Sequence, residues 1–289
     1  VLAALISISC LSKSTQTGVN EMSLAELIKT QQPVFFEDII FEDEIDFTTF
    51  LKRNLISENM YQVDIKSSVT FKNCVFKKKV SAYHVSGNEI VLTNFQSNVS
   101  FIDCKFYDVV NLRAANVFGR LDFSKSKFYE GAVFEEISCH QNAYFSDGYF
   151  DKEVRFQNSF FTQKANFMNA QFNAAVSFQN AIFNAETQFS VTKFLGYADF
   201  SLIDCRANFF FNYAVFQDRA VLSNAVFGRD INFSSTKNKM TTFDKSRFLG
   251  KTEFAKIEVS EMVSFKQCFF QFNQPIIDFL PTEKVVFAE

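Results

Sequence analysis

Seven phenylalanines stand 22 residues apart without a gap: Phe101, Phe123, Phe145, Phe167, Phe189, Phe211 and Phe233. A fixed period on this scale marks a chain that stacks one structural unit on the next. A second series, Phe106, Phe128, Phe150, Phe172, Phe194 and Phe216, runs five residues behind the first. Two more complete the set: Leu112, Phe134, Phe156, Phe178, Phe200 and Leu222, then Val117, Cys139, Phe161, Phe183, Cys205 and Phe227. Large apolar positions therefore alternate between spacings of five and six, so the elementary repeat is 11 residues and the coil is 22. Such spacing fits neither the helical period nor a long alternating strand. It fits a chain that turns a corner every five or six residues, so that four sides close one coil. Stacking coils at the inter-strand spacing of about 4.8 Å lays each Phe over its predecessor in four interior columns. Smaller inward residues two places before a column position, among them Val154, Ala165, Ala170, Val176, Ala181, Ala198, Ala214, Ala220, Ala225 and Ile231, let large and small side chains alternate as close packing demands.

The unit Ala165-Asn166-Phe167-Met168-Asn169-Ala170-Gln171-Phe172, followed by Val176-Ser177-Phe178-Gln179-Asn180-Ala181-Ile182-Phe183, resembles the pentapeptide-repeat family in its Phe-centred form. That family has a central Leu or Phe, a small residue two places before it, and Asp or Asn nearby. The resemblance covers Phe71 to Phe270, with an earlier outlier at Phe36, Phe41 and Phe47. It implies an all-β fold, a right-handed quadrilateral β-helix. This chain adds one residue to every second side, which leaves the shape of two of the four corners open. On the five-residue sides the second position after the column residue is often Asn or Asp, as at Asn73, Asp103, Asp147, Asn158, Asn169, Asn180 and Asn224. These residues tolerate turn conformations and bond to nearby backbone, so they are expected to form corners.

Irregularities locate the ends and insertions. Leu51 to Lys66 interrupts an early coil, residues 77–94 keep only a faint pattern through Val80, Val85, Ile90 and Phe95, and one residue is missing between Phe233 and Phe243. Each slip is expected to appear as a loop or bulge. Pro33, Pro275 and Pro281 all lie outside the repeat, as expected of a residue that cannot donate to a ladder. The organisation that follows is a signal-like segment and linker at 1–22, an N-terminal capping helix at 23–33, the β-helix at 34–272 and a C-terminal cap at 273–289. Ser23 with Glu26 reads as a capping box for that helix. The apolar Ile276, Ile277, Phe279, Leu280, Val285, Val286 and Phe287 are expected to cover the last coil, whose open strand edges would otherwise aggregate.

The run Val1 to Cys10, apolar and ending in small residues before a polar Ser/Thr-rich stretch, is too short to span a bilayer. It resembles the end of a bacterial lipoprotein signal peptide, in which the cysteine becomes the lipidated first residue, with Ser7 where Leu usually stands. The resemblance implies lipidation of Cys10 and a place on the periplasmic side of the outer membrane. A soluble periplasmic or cytoplasmic protein is the alternative. Of the other cysteines, Cys74, Cys104 and Cys268 fall in small inward slots, and Cys139 and Cys205 replace Phe in one column.

The chain holds 41 Phe, no Trp and a net charge of −3. That balance, with Lys77-Lys78-Lys79 as the main basic cluster, excludes a nucleic-acid binder built on a basic stripe. Only two histidines occur, His84 and His140, and no metal-protease, phosphate-loop or nucleophile-elbow motif is present. Cys139 and His140 are neighbours, but alternation turns one inward and the other outward. The acidic residues Glu37, Asp38, Glu42, Asp43, Glu44 and Asp46 read as a solvated face, since a cation site needs oxygens converging on one point. No catalytic, cofactor or metal residue is assigned. Tyr107 and Tyr129, one coil apart beside Phe118 or Tyr149, form the candidate partner surface.

The expected function is a non-catalytic scaffold tethered by Cys10, whose partner is an outer-membrane or periplasmic protein. A coil end also offers a homodimer surface. The alternative class is the DNA-mimic role known for some pentapeptide-repeat proteins, which bind DNA gyrase. The mixed charge of the repeat, with Lys125, Lys127, Lys152, Arg155, Lys164, Arg206, Arg219 and Arg229, speaks against it.

Overall fold

The computed structural model describes residues 6–7 and 21–287. One coil defines the architecture. Strands Leu121–Asp122, Lys127–Phe128, Ala132–Val133 and Ser138–Cys139 form four successive sides, and Ala143–Tyr144 then lies parallel on Leu121–Asp122 in register. The result is a parallel β-solenoid of 22-residue coils whose first face stacks eleven strands, from Ile6–Ser7 to Thr252–Glu253, among the described residues. Each side is only two residues of strand, because a corner follows every five or six residues.

The interior is the predicted set of columns. Phe145, Phe167 and Phe189 stack at 4.9 and 4.6 Å between centroids, each pair 2° from parallel. Phe156 and Phe178, from the opposite side, stack at 4.8 Å. Between the two columns the rings meet edge to face, as in Phe145 with Phe156 at 5.1 Å and 86°. Both geometries suit the ring quadrupole. The smaller inward residues from Val154 to Ile231 are buried as expected.

The two kinds of corner differ. After the first and third sides the second residue past the column takes a left-handed backbone: Asp147, Asn158, Asn169, Asn180 and Asn224 have φ between 57° and 58°. It is third in a turn such as Phe167 to Ala170, closed by Ala170 N–H donating to Phe167 O at 3.1 Å, the position where a turn of type II requires positive φ. The corner side chains also form ladders between coils, with Asn169 Nδ2 donating to Asp147 Oδ1 and Asn180 Nδ2 to Asn158 Oδ1, both at 2.8 Å. The six-residue sides turn without a left-handed residue.

The irregular stretches are hairpins. Asn54–Ser57 folds back on Met60–Ile65, and Tyr83–Ser86 on Glu89–Phe95. Val80 and Phe95 keep inward places, but Val85 is 51% exposed and Ile90 only half-buried. The faint pattern read through Val85 and Ile90 is therefore the alternation of a hairpin and not a continuation of the columns. At the missing residue the corner is lost: Val215–Val221, Lys237–Thr242 and Glu258–Ser264 run across it as single strands with register shifts. Asn238 takes the column place there and is satisfied by donating to Thr236 Oγ1 at 2.8 Å and accepting from Thr241 Oγ1 at 3.1 Å.

The helix Glu21–Lys29 covers the first coil with Leu24 and Ile28 buried. It starts two residues before Ser23, which therefore lies inside the first turn and not at the N-cap; capping patterns fix helix ends only to within a residue or two. At the other end the tail is not a closed cap. Val285–Val286 adds a strand to Val263–Ser264, and Phe287 stacks on Phe265 at 5.1 Å. Ile277 is buried, whereas Ile276 and Phe279 are exposed.

The columns and corners set the cost of single substitutions. Phe167→Ala is expected to lose about 3–5 kcal/mol, the range for a buried ring, and Asn169→Ala about 1 kcal/mol, from forcing a Cβ-branch-free but non-glycine residue into left-handed backbone without its side-chain bond. Denaturant titration placing Phe167→Ala within error of the parent would contradict the column. Val191 holds the same corner place at φ 63° with a β-branched side chain that is 44% exposed. Val191→Asn is expected to raise stability by about 1 kcal/mol, read as a higher denaturation midpoint at unchanged m-value; a lower midpoint would refute the strain.

Candidate functional site

The aromatic surface chosen from the sequence assembles in part. Tyr107 and Tyr129 follow column residues one coil apart and stack at 4.8 Å, 23° from parallel. The Lys77 ammonium sits 4.5 Å over the Tyr107 ring. Tyr149 leans toward Tyr129 at 6.3 Å. Its hydroxyl donates to Asp151 Oδ1 at 3.0 Å and accepts from Asn173 Nδ2 at 2.7 Å. The bond to Asp151 raises the Tyr149 phenol, while Asn173 and then Tyr149 hold the Asp151 carboxyl below its ordinary value. Phe118 does not join them. It lies 11 residues, half a coil, beyond Tyr107, and stacks instead on His140 at 4.4 Å and 4°.

That stack also separates the Cys–His neighbours, since Cys139 is fully buried in its column while His140 lies outside on Phe118. Several acidic residues of the first coil are engaged separately, Asp38 among them, which accepts from Asn73 Nδ2 at 2.6 Å. Glu37 pairs with Lys72 at 2.7 Å, Glu44 with Lys79 at 3.7 Å, and Asp46 accepts from Thr48 Oγ1 at 2.6 Å. Among the described residues no three His, Cys, Asp or Glu side chains are grouped to hold a metal ion, and no helix is long and apolar enough to cross a membrane. Cys10 lies outside the described residues.

The remaining thiols are packing groups. Cys74 and Cys104, in the same small slot of successive coils, donate to backbone carbonyls, Cys74 Sγ to Lys72 O at 3.4 Å and Cys104 Sγ to Phe71 O at 3.5 Å, and burial pushes the Cys104 thiol up. Burial alone raises Cys139, and burial with the Asp204 carboxylate raises Cys205. Cys268, at the C-terminal end and half-buried, is pushed up to about 11, chiefly by burial. Only the thiolate is nucleophilic, so native alkylation of Cys268 is expected to speed up about tenfold per pH unit between about pH 7.5 and 9.5, with Cys139 and Cys205 unreactive until the coil is denatured. Mass-spectrometric mapping that finds Cys139 labelled before Cys268 would contradict the packing.

A concave feature of the surface lies at the C-terminal end. A cleft of about 720 Å³ opens between the last first-face rung and the tail, lined by Thr252, Phe254, Lys256, Phe272, Ile276 and Phe279. Phe269, Phe272, Ile276, Phe279 and Phe287 are all exposed around this end. Apolar surface concentrated in this way marks an interaction site more than scattered exposed residues do. No protein-family model matches the chain, and no curated protein matches it. The likeness to pentapeptide repeats therefore rests on the residue pattern. Sequence reasoning took this end for a cap, although one signal of the cleft was present: Ile276 stands 22 residues after Phe254, but Pro275 precedes it.

Proposed function

We propose that the protein is a non-catalytic scaffold that binds a protein partner, tethered to the bacterial cell envelope through Cys10. The observation that carries this reading is the contrast between an interior filled by stacked rings and an exposed apolar end around the Phe254 cleft. Packing occupies the inward positions, so outer faces and ends remain for recognition. The Tyr107, Tyr129 and Tyr149 group supplies a second, smaller aromatic surface of the kind that anchors interfaces. The tether rests on the lipobox-like run ending at Cys10. On the second face Lys105 and Lys127 are register neighbours, with Lys193 further along the same stack. This positive charge weighs against the DNA-mimic alternative.

A photo-reactive residue placed at Phe279 in producing cells is expected to cross-link one discrete protein, with the adduct lost in Phe272→Asp. Cys10→Ser is expected to move the protein from the membrane to the soluble fraction. Absence of an adduct from both Phe279 and Tyr107, together with substrate turnover by the purified protein, would overturn the scaffold reading.

A further inference from the structure

Along the first face, N–H groups at inward positions donate toward the next coil. Ile231, Phe233 and Ser235 donate to the carbonyls of Lys251, Glu253 and Ala255 at 2.9, 2.7 and 2.8 Å. One coil later the equivalent N–H groups of Thr252, Phe254 and Lys256 meet no acceptor among the described residues. Phe254 is only 2% exposed, so its amide is a buried donor without a partner among the described residues, a rare arrangement in folded chains. These three residues line the cleft together with Phe272, Ile276 and Phe279.

The reason is a missing rung. The 22-residue period calls for a strand at residues 274–275 with Ile276 over Phe254, but Pro275 has no N–H to return to the ladder. Ile276 is instead 77% exposed, and the tail regains the solenoid only on the third face at Val285–Val286. A row of ladder donors and apolar walls is thus in place without the strand that they would hold. Carbonyls at every second residue and apolar side chains between them are what an extended polypeptide offers.

We infer that this cleft is a strand-addition site that takes an extended segment of a partner protein as the missing first-face rung, parallel to Thr252–Glu253. The inference rests on the scaffold reading and names how the partner is held. The segment carries a small residue and, two places later, a large apolar one, because that is the inward pair of the rungs beneath, as in Ala165 and Phe167. Its carbonyls accept from the Thr252, Phe254 and Lys256 amides, and its large side chain enters between Phe272 and Phe279.

The test uses the full chain and a fluorescent synthetic peptide copying residues 163–170, which contains the Ala165 and Phe167 pair. Saturable binding is expected, with hydrogen exchange of the 252–256 amides slowed at least tenfold. A peptide carrying F167D is expected to bind at least tenfold more weakly. Thr252→Pro removes one free donor without removing a ladder bond and is expected to weaken binding at least tenfold, while Thr252→Ala retains it. Phe272→Asp, outside the regular coils, gives a second reading should Thr252→Pro disturb the fold. Binding unaffected by Thr252→Pro, with unchanged exchange at 252–256, would overturn strand addition. So would a self-association that Thr252→Pro abolishes and the peptide cannot displace, since the occupant would then be a second copy. In either case a Phe279 cross-link that persists in Thr252→Pro leaves the scaffold reading standing, whereas loss of adducts from every surface removes that reading as well.

Discussion

The structure depends on a match between two lengths. Hydrogen-bonded parallel strands repeat at about 4.8 Å, and the buried rings stack with centroids 4.6 to 4.9 Å apart in Phe167–Phe189 and Phe145–Phe167. Aromatic planes in contact lie nearer about 3.5 Å, so rings stacked at the rung spacing are slipped sideways, as their quadrupoles prefer. A single translation therefore satisfies the backbone ladder and the ring column together. That commensurate spacing explains why Phe dominates the columns; where Cys205 replaces it, Phe209 meets Phe183 at 5.4 Å and Phe227 at 6.1 Å edge to face. It also explains how a longer coil is tolerated: Phe71 and Phe101, 30 residues apart, still stack at 4.8 Å, because the extra residues leave the coil as the hairpin Tyr83–Ser86 and Glu89–Phe95.

Corners inherit their chemistry from this constraint. With two residues of strand per side, the direction of the chain must change within three or four residues, and at alternate corners only positive φ closes the turn. Asn and Asp occupy many of these places, but Val191, Leu202 and Tyr213 adopt the same backbone at φ 62° to 63°. These exceptions show that column packing overrides local preference. The corner N–H of each is still paired across coils, as Val191 to Asn212 O at 3.0 Å, so the ladder holds the strained residue in place.

The repeat was legible because a side chain committed to a column recurs at a fixed interval, and the Phe series announces that interval directly. The Asn and Asp corners were legible for the same reason. The hairpins were not: Val85 and Ile90 alternate as hairpin residues do, and alternation alone does not say which sheet a strand joins. The tail misled in another way. Hydrophobicity at Ile276 and Phe279 suggested burial, but hydrophobic residues are placed by what the backbone can pair with, and Pro275 breaks that pairing. Of the aromatic surface, Tyr107 and Tyr129 were readable from their separation of one coil, while Phe118, half a coil on, belongs to another corner. The cleft was hardest to see, because it is defined by a rung that the sequence repeat calls for at residues 274–276 and that those residues do not form.

The two ends consequently differ in kind. At the N-terminal end the helix Glu21–Lys29 lies over the first coil, and Ser67 Oγ donates to Ile28 O at 3.2 Å, tying the helix to the solenoid. At the C-terminal end the first face stops at Thr252–Glu253, with the donors of Thr252, Phe254 and Lys256 unpaired among the described residues. In a repeat protein each coil is held chiefly by its neighbours, so the last coil, contacted on one side only along this face, is the one whose stability a ligand can most readily raise. Binding that supplies the missing ladder bonds would be coupled to ordering of that coil by mass action, and the coupling would fade toward the middle of the rod, where rungs above and below already hold every ring. Recognition and local stability are thereby joined at a single place, where the backbone ladder ends before the column of rings has been covered by a strand.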